Sequence, residues 1–140
     1  MGILSDFFLA DPTPVPSYDG GAEFDASDKC QYTELTALQA GQILAVLRGH
    51  KYVADMIREF ELVTPDDAED WTMSVPQDMV DALARVQTER IPPLADQFAQ
   101  ATKEELGWSP DDFATVITEL SALARRAIAT NKKMYLWNSL

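Results

Sequence analysis

Phe113, Val116, Ile117, Leu120, Leu123, Ala124, Ala127 and Ile128 recur at helical spacing and fall within one arc of roughly 140° at about 100° per residue. Asp111, Thr115, Thr118, Glu119, Arg125 and Arg126 fill the rest of the circle, so this helix lies flat on a core. Ser109-Pro110-Asp111-Asp112 marks its start: a hydroxyl N-cap, a proline at the first helical position and two carboxylates facing the positive end of the macrodipole. Asn131 fits the left-handed residue that ends it. Met134-Tyr135-Leu136-Trp137 is then apolar on both faces of an extended segment, which predicts a paired strand covered on both sides.

Upstream, Thr36 and Gln39 form a capping-box pattern and Gly49 a stop, predicting a helix over about 37–48. Its Leu38, Ile43, Leu44, Val46 and Leu47 lie almost all round the cylinder, which places it centrally. The stripe Tyr52, Val53, Met56, Ile57 and Phe60 predicts a second helix. Trp71, Met73 and Val75 alternate with Thr72 and Ser74, the period of a strand with one buried face, closed by Pro76. Met79, Val80, Leu83 and Val86 predict a third helix with Pro76 in its first turn. Ile91, Leu94, Phe98 and Ala101 predict a fourth, begun near Pro92-Pro93 and ended by Gly107.

Lys29–Thr33 reads as a short strand with Cys30 and Tyr32 on one face, whereas residues 1–28 read as an acidic arm rich in Pro and Gly. Phe7, Phe8, Tyr18 and Phe24 would pin that arm to the domain at intervals. The expectation is one mainly helical α+β domain over 29–140, with four to five helices packed on a small sheet. That sheet contains residues 71–75 and the C-terminal strand 134–138, and the arm wraps around the whole.

Composition narrows the function classes. With 46% apolar residues in 140, the chain can build one core. Twenty-three acidic against eleven basic side chains give a net charge of -12, which repels a nucleic-acid backbone and an anionic lipid surface alike. The opening residues carry no cation ahead of their short apolar stretch, unlike a secretory signal, and Cys30 is the single cysteine. A cytoplasmic protein is expected.

Chemistry-bearing residues are sparse. His50 is the sole histidine, stands at a helix junction and has no nucleophile motif beside it. One His and one Cys do not make a transition-metal site, and Asp66, Asp67, Glu69 and Asp70 lack the spacing of a calcium loop. Glu104-Glu105 and Asp111-Asp112 are adjacent on helical segments and point apart. Trp71, Trp108 and Trp137 read as core or core-edge residues. No catalytic, cofactor or metal residue is assigned. The candidate interaction surface is the acidic loop Asp66, Asp67, Glu69 and Asp70 with the basic cluster Arg125, Arg126, Lys132 and Lys133, which also complements the negative end of the last helix.

The opening Met1-Gly2-Ile3-Leu4-Ser5-Asp6-Phe7-Phe8 and the closing Tyr135-Leu136-Trp137-Asn138-Ser139-Leu140, with Leu120–Arg126 before it, resemble a family of small bacterial proteins without assigned function. The resemblance implies a bacterial, stand-alone, cytosolic protein and supplies no functional residues. The favoured expectation is a non-catalytic interaction protein, of adaptor, inhibitor or immunity type, whose acidic surface meets a basic protein partner. The alternative is a small-ligand-binding protein or enzyme with a pocket of carboxylates and aromatic side chains.

Overall fold

Leu4–Ala10 (β1) and Lys133–Ser139 (β5) pair antiparallel along their whole length, Phe7 opposite Leu136 and Phe8 opposite Tyr135. The computed structural model describes residues 2–13, 17–18, 20–64 and 69–140. Lys29–Thr33 (β2), Glu61–Leu62 (β3) and Trp71–Ser74 (β4) complete an antiparallel sheet in the order β2-β1-β5-β4-β3. β1 and β5 are paired on both edges, and five consecutive residues of each are buried, so both faces are covered, which is what the apolar run of β5 demands.

The N-terminal residues correct the expectation of an arm beginning at residue 1. Ser5 to Leu9 are all buried in β1, and Ser5 and Asp6, which break the apolar stretch in sequence, are held by hydrogen bonds. Ser5 Oγ accepts from the Leu35 backbone at 2.9 Å and from Asn138 Nδ2 at 3.2 Å, while Asp6 accepts from Tyr18 and Gln31 on the other face. Such hydrogen bonds let a polar residue enter a central strand.

Four α-helices, Ala37–Arg48 (α1), Gln77–Ala84 (α2), Ile91–Ala101 (α3) and Pro110–Thr130 (α4), belong to the main core with one face of the sheet. Phe7, Leu9, Met134 and Leu136 meet Ile43, Leu44, Met79, Phe98, Phe113 and Ile117 there. In α1 every residue from Gln39 to Ala45 is buried, in line with its all-round apolar pattern. Gly49 ends it at φ 69°, a left-handed turn that glycine adopts without a Cβ penalty.

The stripe over 52–60 folds as a six-residue 3-10 helix, Ala54–Glu59, and not as a second α-helix. Of its apolar residues Met56 and Phe60 are buried and Val53 is exposed, so two short turns suffice to bury what the segment has to bury. Arg48, at the end of α1, ties this segment to the start of α2, with Glu59 at 2.6 Å and Asp78 at 2.8 Å. These bonds hold both carboxyls below their usual range.

Two more boundaries differ from the periodic reading. α3 stops at Ala101, where Thr102 Oγ1 donates to the Phe98 carbonyl at 2.8 Å, and Gly107 turns left-handed only after further turns. In β4, Thr72 is buried while Trp71 lies at the exposed margin, because the strand is covered on both faces and its end reaches the sheet edge. α4 begins as its sequence requires: Asp112 N donates to Ser109 Oγ at 3.1 Å and Ser109 N to Asp112 Oδ2 at 3.0 Å. Asn131 closes it at φ 54°, and Ile128, at the margin of the apolar arc, stands 52% exposed. Ser109→Ala removes one half of this reciprocal cap, and urea unfolding is expected to show a loss of about 1 kcal/mol. An unchanged midpoint would mean that the cap contributes nothing.

The second face of the sheet carries a smaller core of Phe8, Tyr18, Tyr135 and Trp137, with Phe24 and Val63 packed against it. Phe8 stacks on Tyr18 at 4.2 Å and on Tyr135 at 5.4 Å. Among the described residues no α-helix contributes to this side; Tyr18 and Phe24 cover it.

Candidate functional site

Strand register places Gln31, Asp6, Trp137 and Thr72 in one rung across β2, β1, β5 and β4, all pointing to the second face. Asp6 is 3% exposed. Its Oδ2 accepts from the Tyr18 hydroxyl at 2.5 Å and from Gln31 Nε2 at 3.0 Å, and Gln31 Nε2 also reaches the Gly20 carbonyl at 3.2 Å. Burial, and then the bond to Asp6, pushes the Tyr18 hydroxyl well above its ordinary range, so it stays a donor. Trp137 Nε1 donates to Asp70 Oδ2 at 3.0 Å. Above the rung lies an open pocket of about 450 Å³ lined by Leu4, Asp6, Gly20, Gln31, Thr33 and Trp137.

A different surface forms where α3 turns into α4. Half-buried Trp108 packs 5.3 Å from Phe113 and 6.5 Å from Tyr32. A groove of about 400 Å³ lies on one side of it, lined by Asp96, Ala99, Lys103 and Pro110. On its other side a groove of about 390 Å³ is lined by Tyr32, Asp112, Thr115, Val116 and Glu119. Residues 96–119 carry six carboxylates, Asp96, Glu104, Glu105, Asp111, Asp112 and Glu119, against the single cation Lys103. Tyr32 donates to Glu119 Oε1 at 3.0 Å, and burial drives its hydroxyl far up. Neighbouring Cys30 is a free thiol, pushed by burial up to about 11.

The residues singled out from the sequence are dispersed. Asp66 and Asp67 lie outside the described residues. Glu69 is exposed, and Asp70 is committed to the Trp137 indole. Arg126 and Lys132 converge on Asp28, at 2.5 and 3.6 Å, while Arg125 and Lys133 point to solvent. Part of the basic cluster thus neutralises a buried carboxylate and ties the segment before β2 to the end of α4. His50 is an exposed junction residue. Among the described residues no group of three or more His, Cys, Asp or Glu is placed to hold a metal ion. No described helix is long and apolar enough to cross a membrane.

The Asp6 rung is legible only through strand register, which links residues 6, 31, 72 and 137. The sole local signal is an acid set among Leu4, Phe7, Phe8 and Leu9. No family model, no curated protein and no solved structure matches the chain.

Proposed function

We propose that this protein is a non-catalytic, cytoplasmic interaction protein, of adaptor, inhibitor or immunity type, that docks a basic protein partner. Placement among the small bacterial proteins that its two ends resemble belongs to the same proposal. The observation that supports it is the Trp108 corner: an aromatic side chain flanked by two grooves whose walls carry Asp96, Asp112 and Glu119 against Lys103, in a segment with six carboxylates and one lysine. Tryptophan is the residue type most often found carrying binding energy at interfaces, and it does so when charged groups at the rim steer the partner in. Elsewhere Arg48, Arg58, Arg126 and Lys132 are engaged with carboxylates of the chain itself, so they add little to a basic face.

Capture of partners from lysate, compared across the wild-type chain, Trp108→Ala and the double variant Glu104→Lys with Glu105→Lys, tests this reading. Trp108→Ala is expected to weaken the captured complex by about 2 kcal/mol, roughly 30-fold in Kd. The lysine variant is expected to slow association and flatten its dependence on salt. A complex indifferent to salt and to both variants would refute docking at this corner.

A further inference from the structure

Asp6 is a buried carboxylate to which no Lys or Arg is paired among the described residues. Burying such a charge is costly unless it is matched by a cation or by enough donors. An ionised carboxylate offers about four acceptor positions, and the described donors, Tyr18 and Gln31, both use Oδ2. Lys29, which flanks this face, spends its ammonium on the Gly21 carbonyl at 2.6 Å. Asp6 lines the 450 Å³ pocket, with Trp137 beside it in the same rung and half-exposed Leu4 also in the lining.

We propose that this pocket binds an organic cation, an alkyl-ammonium or alkyl-guanidinium group. The head would reach the Asp6 carboxylate, and the stem would lie against Leu4 and Trp137. The volume falls in the range of small-molecule sites. The carboxylate supplies the missing charge match, the indole ring adds cation–π attraction, and the net charge of -12 disfavours an anion in the same place. The site lies on the face of the sheet opposite the main helical core and holds or fails independently of docking at Trp108.

Isothermal titration calorimetry of the full chain with agmatine and with pentylamine tests the site, with pentanol as the uncharged control. Saturable one-site binding of a cation, with none of pentanol, is expected. Asp6→Asn keeps an acceptor for Tyr18 but removes the charge, and is expected to weaken binding about tenfold or more. Leu4→Lys places an ammonium two residues away on the same strand face, and is expected to abolish binding while leaving the circular dichroism spectrum unchanged. This second variant decides the matter should Asp6→Asn fail to fold. A blocked Gly-Arg-Gly tripeptide separates the sources: binding as tight as agmatine assigns the pocket to a side chain of a protein partner, and much weaker binding assigns it to a free amine. Absence of saturable binding for both cations, or affinity unchanged in a folded Asp6→Asn or Leu4→Lys protein, overturns the proposal.

Discussion

Phe7→Ala is expected to cost about 3–5 kcal/mol, measured as a loss of unfolding free energy in urea. Phe7 is fully buried in a central strand, in register with Cys30 on one side and Leu136 on the other, and its ring meets Tyr32 edge-on at 6.2 Å. Sheet neighbours fixed by backbone hydrogen bonds cannot close in on the vacated space, so both the transfer and the cavity contributions are felt. Against a total stability of roughly 5–15 kcal/mol for a domain of this kind, that single loss is expected to bring the chain near its unfolding threshold. Leu4→Ala on the same strand, where the side chain is 45% exposed, is expected to cost well under half as much. Equal losses at the two positions would contradict the placement of β1 at the centre of the sheet.

Raising the pH from about 9 to 11 is expected to destabilise the fold by several kcal/mol. Burial pushes the Cys30 thiol up to about 11, and it drives the Tyr18 and Tyr32 hydroxyls well above their ordinary range. The folded chain therefore retains these protons where the unfolded chain releases them. Stability from this source is complete below the unfolded values and declines as pH rises toward the folded ones. Each such group contributes a slope of about 1.4 kcal/mol per pH unit once its unfolded form has ionised. The cysteine acts first and the tyrosines follow above about pH 10. Urea midpoints taken across this range would show the decline, and Cys30→Ala should flatten its first part. A midpoint constant up to pH 11 would mean that none of the three groups is buried as described.

Caps and amphipathic stripes were legible because they are local. Ser109, Asp112 and Asn131 act within one turn of the helix they bound, and the arc from Phe113 to Ala127 needs only the 3.6-residue period. The two-faced apolar β5 announces its own burial. β1 was hidden for a reason of distance. Ser5 and Asp6 look like breaks in an apolar run until Leu35, Asn138, Tyr18 and Gln31 arrive from far along the chain to hydrogen-bond with them. The stripe over 52–60 misled because its two buried side chains, Met56 and Phe60, are placed by a two-turn 3-10 helix and its C-cap as well as by a longer helix. Of the candidate surfaces, the carboxylates around Trp108 were visible as residues but not as a corner, which depends on how α3 and α4 meet. Arg126 and Lys132 resembled a helix-end cluster because Asp28, which they neutralise, lies 98 residues from Arg126.

The pairing of β1 with β5 sets the order in which the molecule can assemble. Leu4 meets Ser139 and Ala10 meets Lys133, so the middle of the sheet joins segments from opposite extremes of the described chain. During synthesis β1 and β2 can form only a ribbon, and the helices that cover Phe7 lack Leu136 until the last strand has left the ribosome. Such long-range closure slows folding relative to a helical bundle of equal size. It also leaves the apolar flank of β1 open meanwhile, the kind of surface through which unfinished chains aggregate.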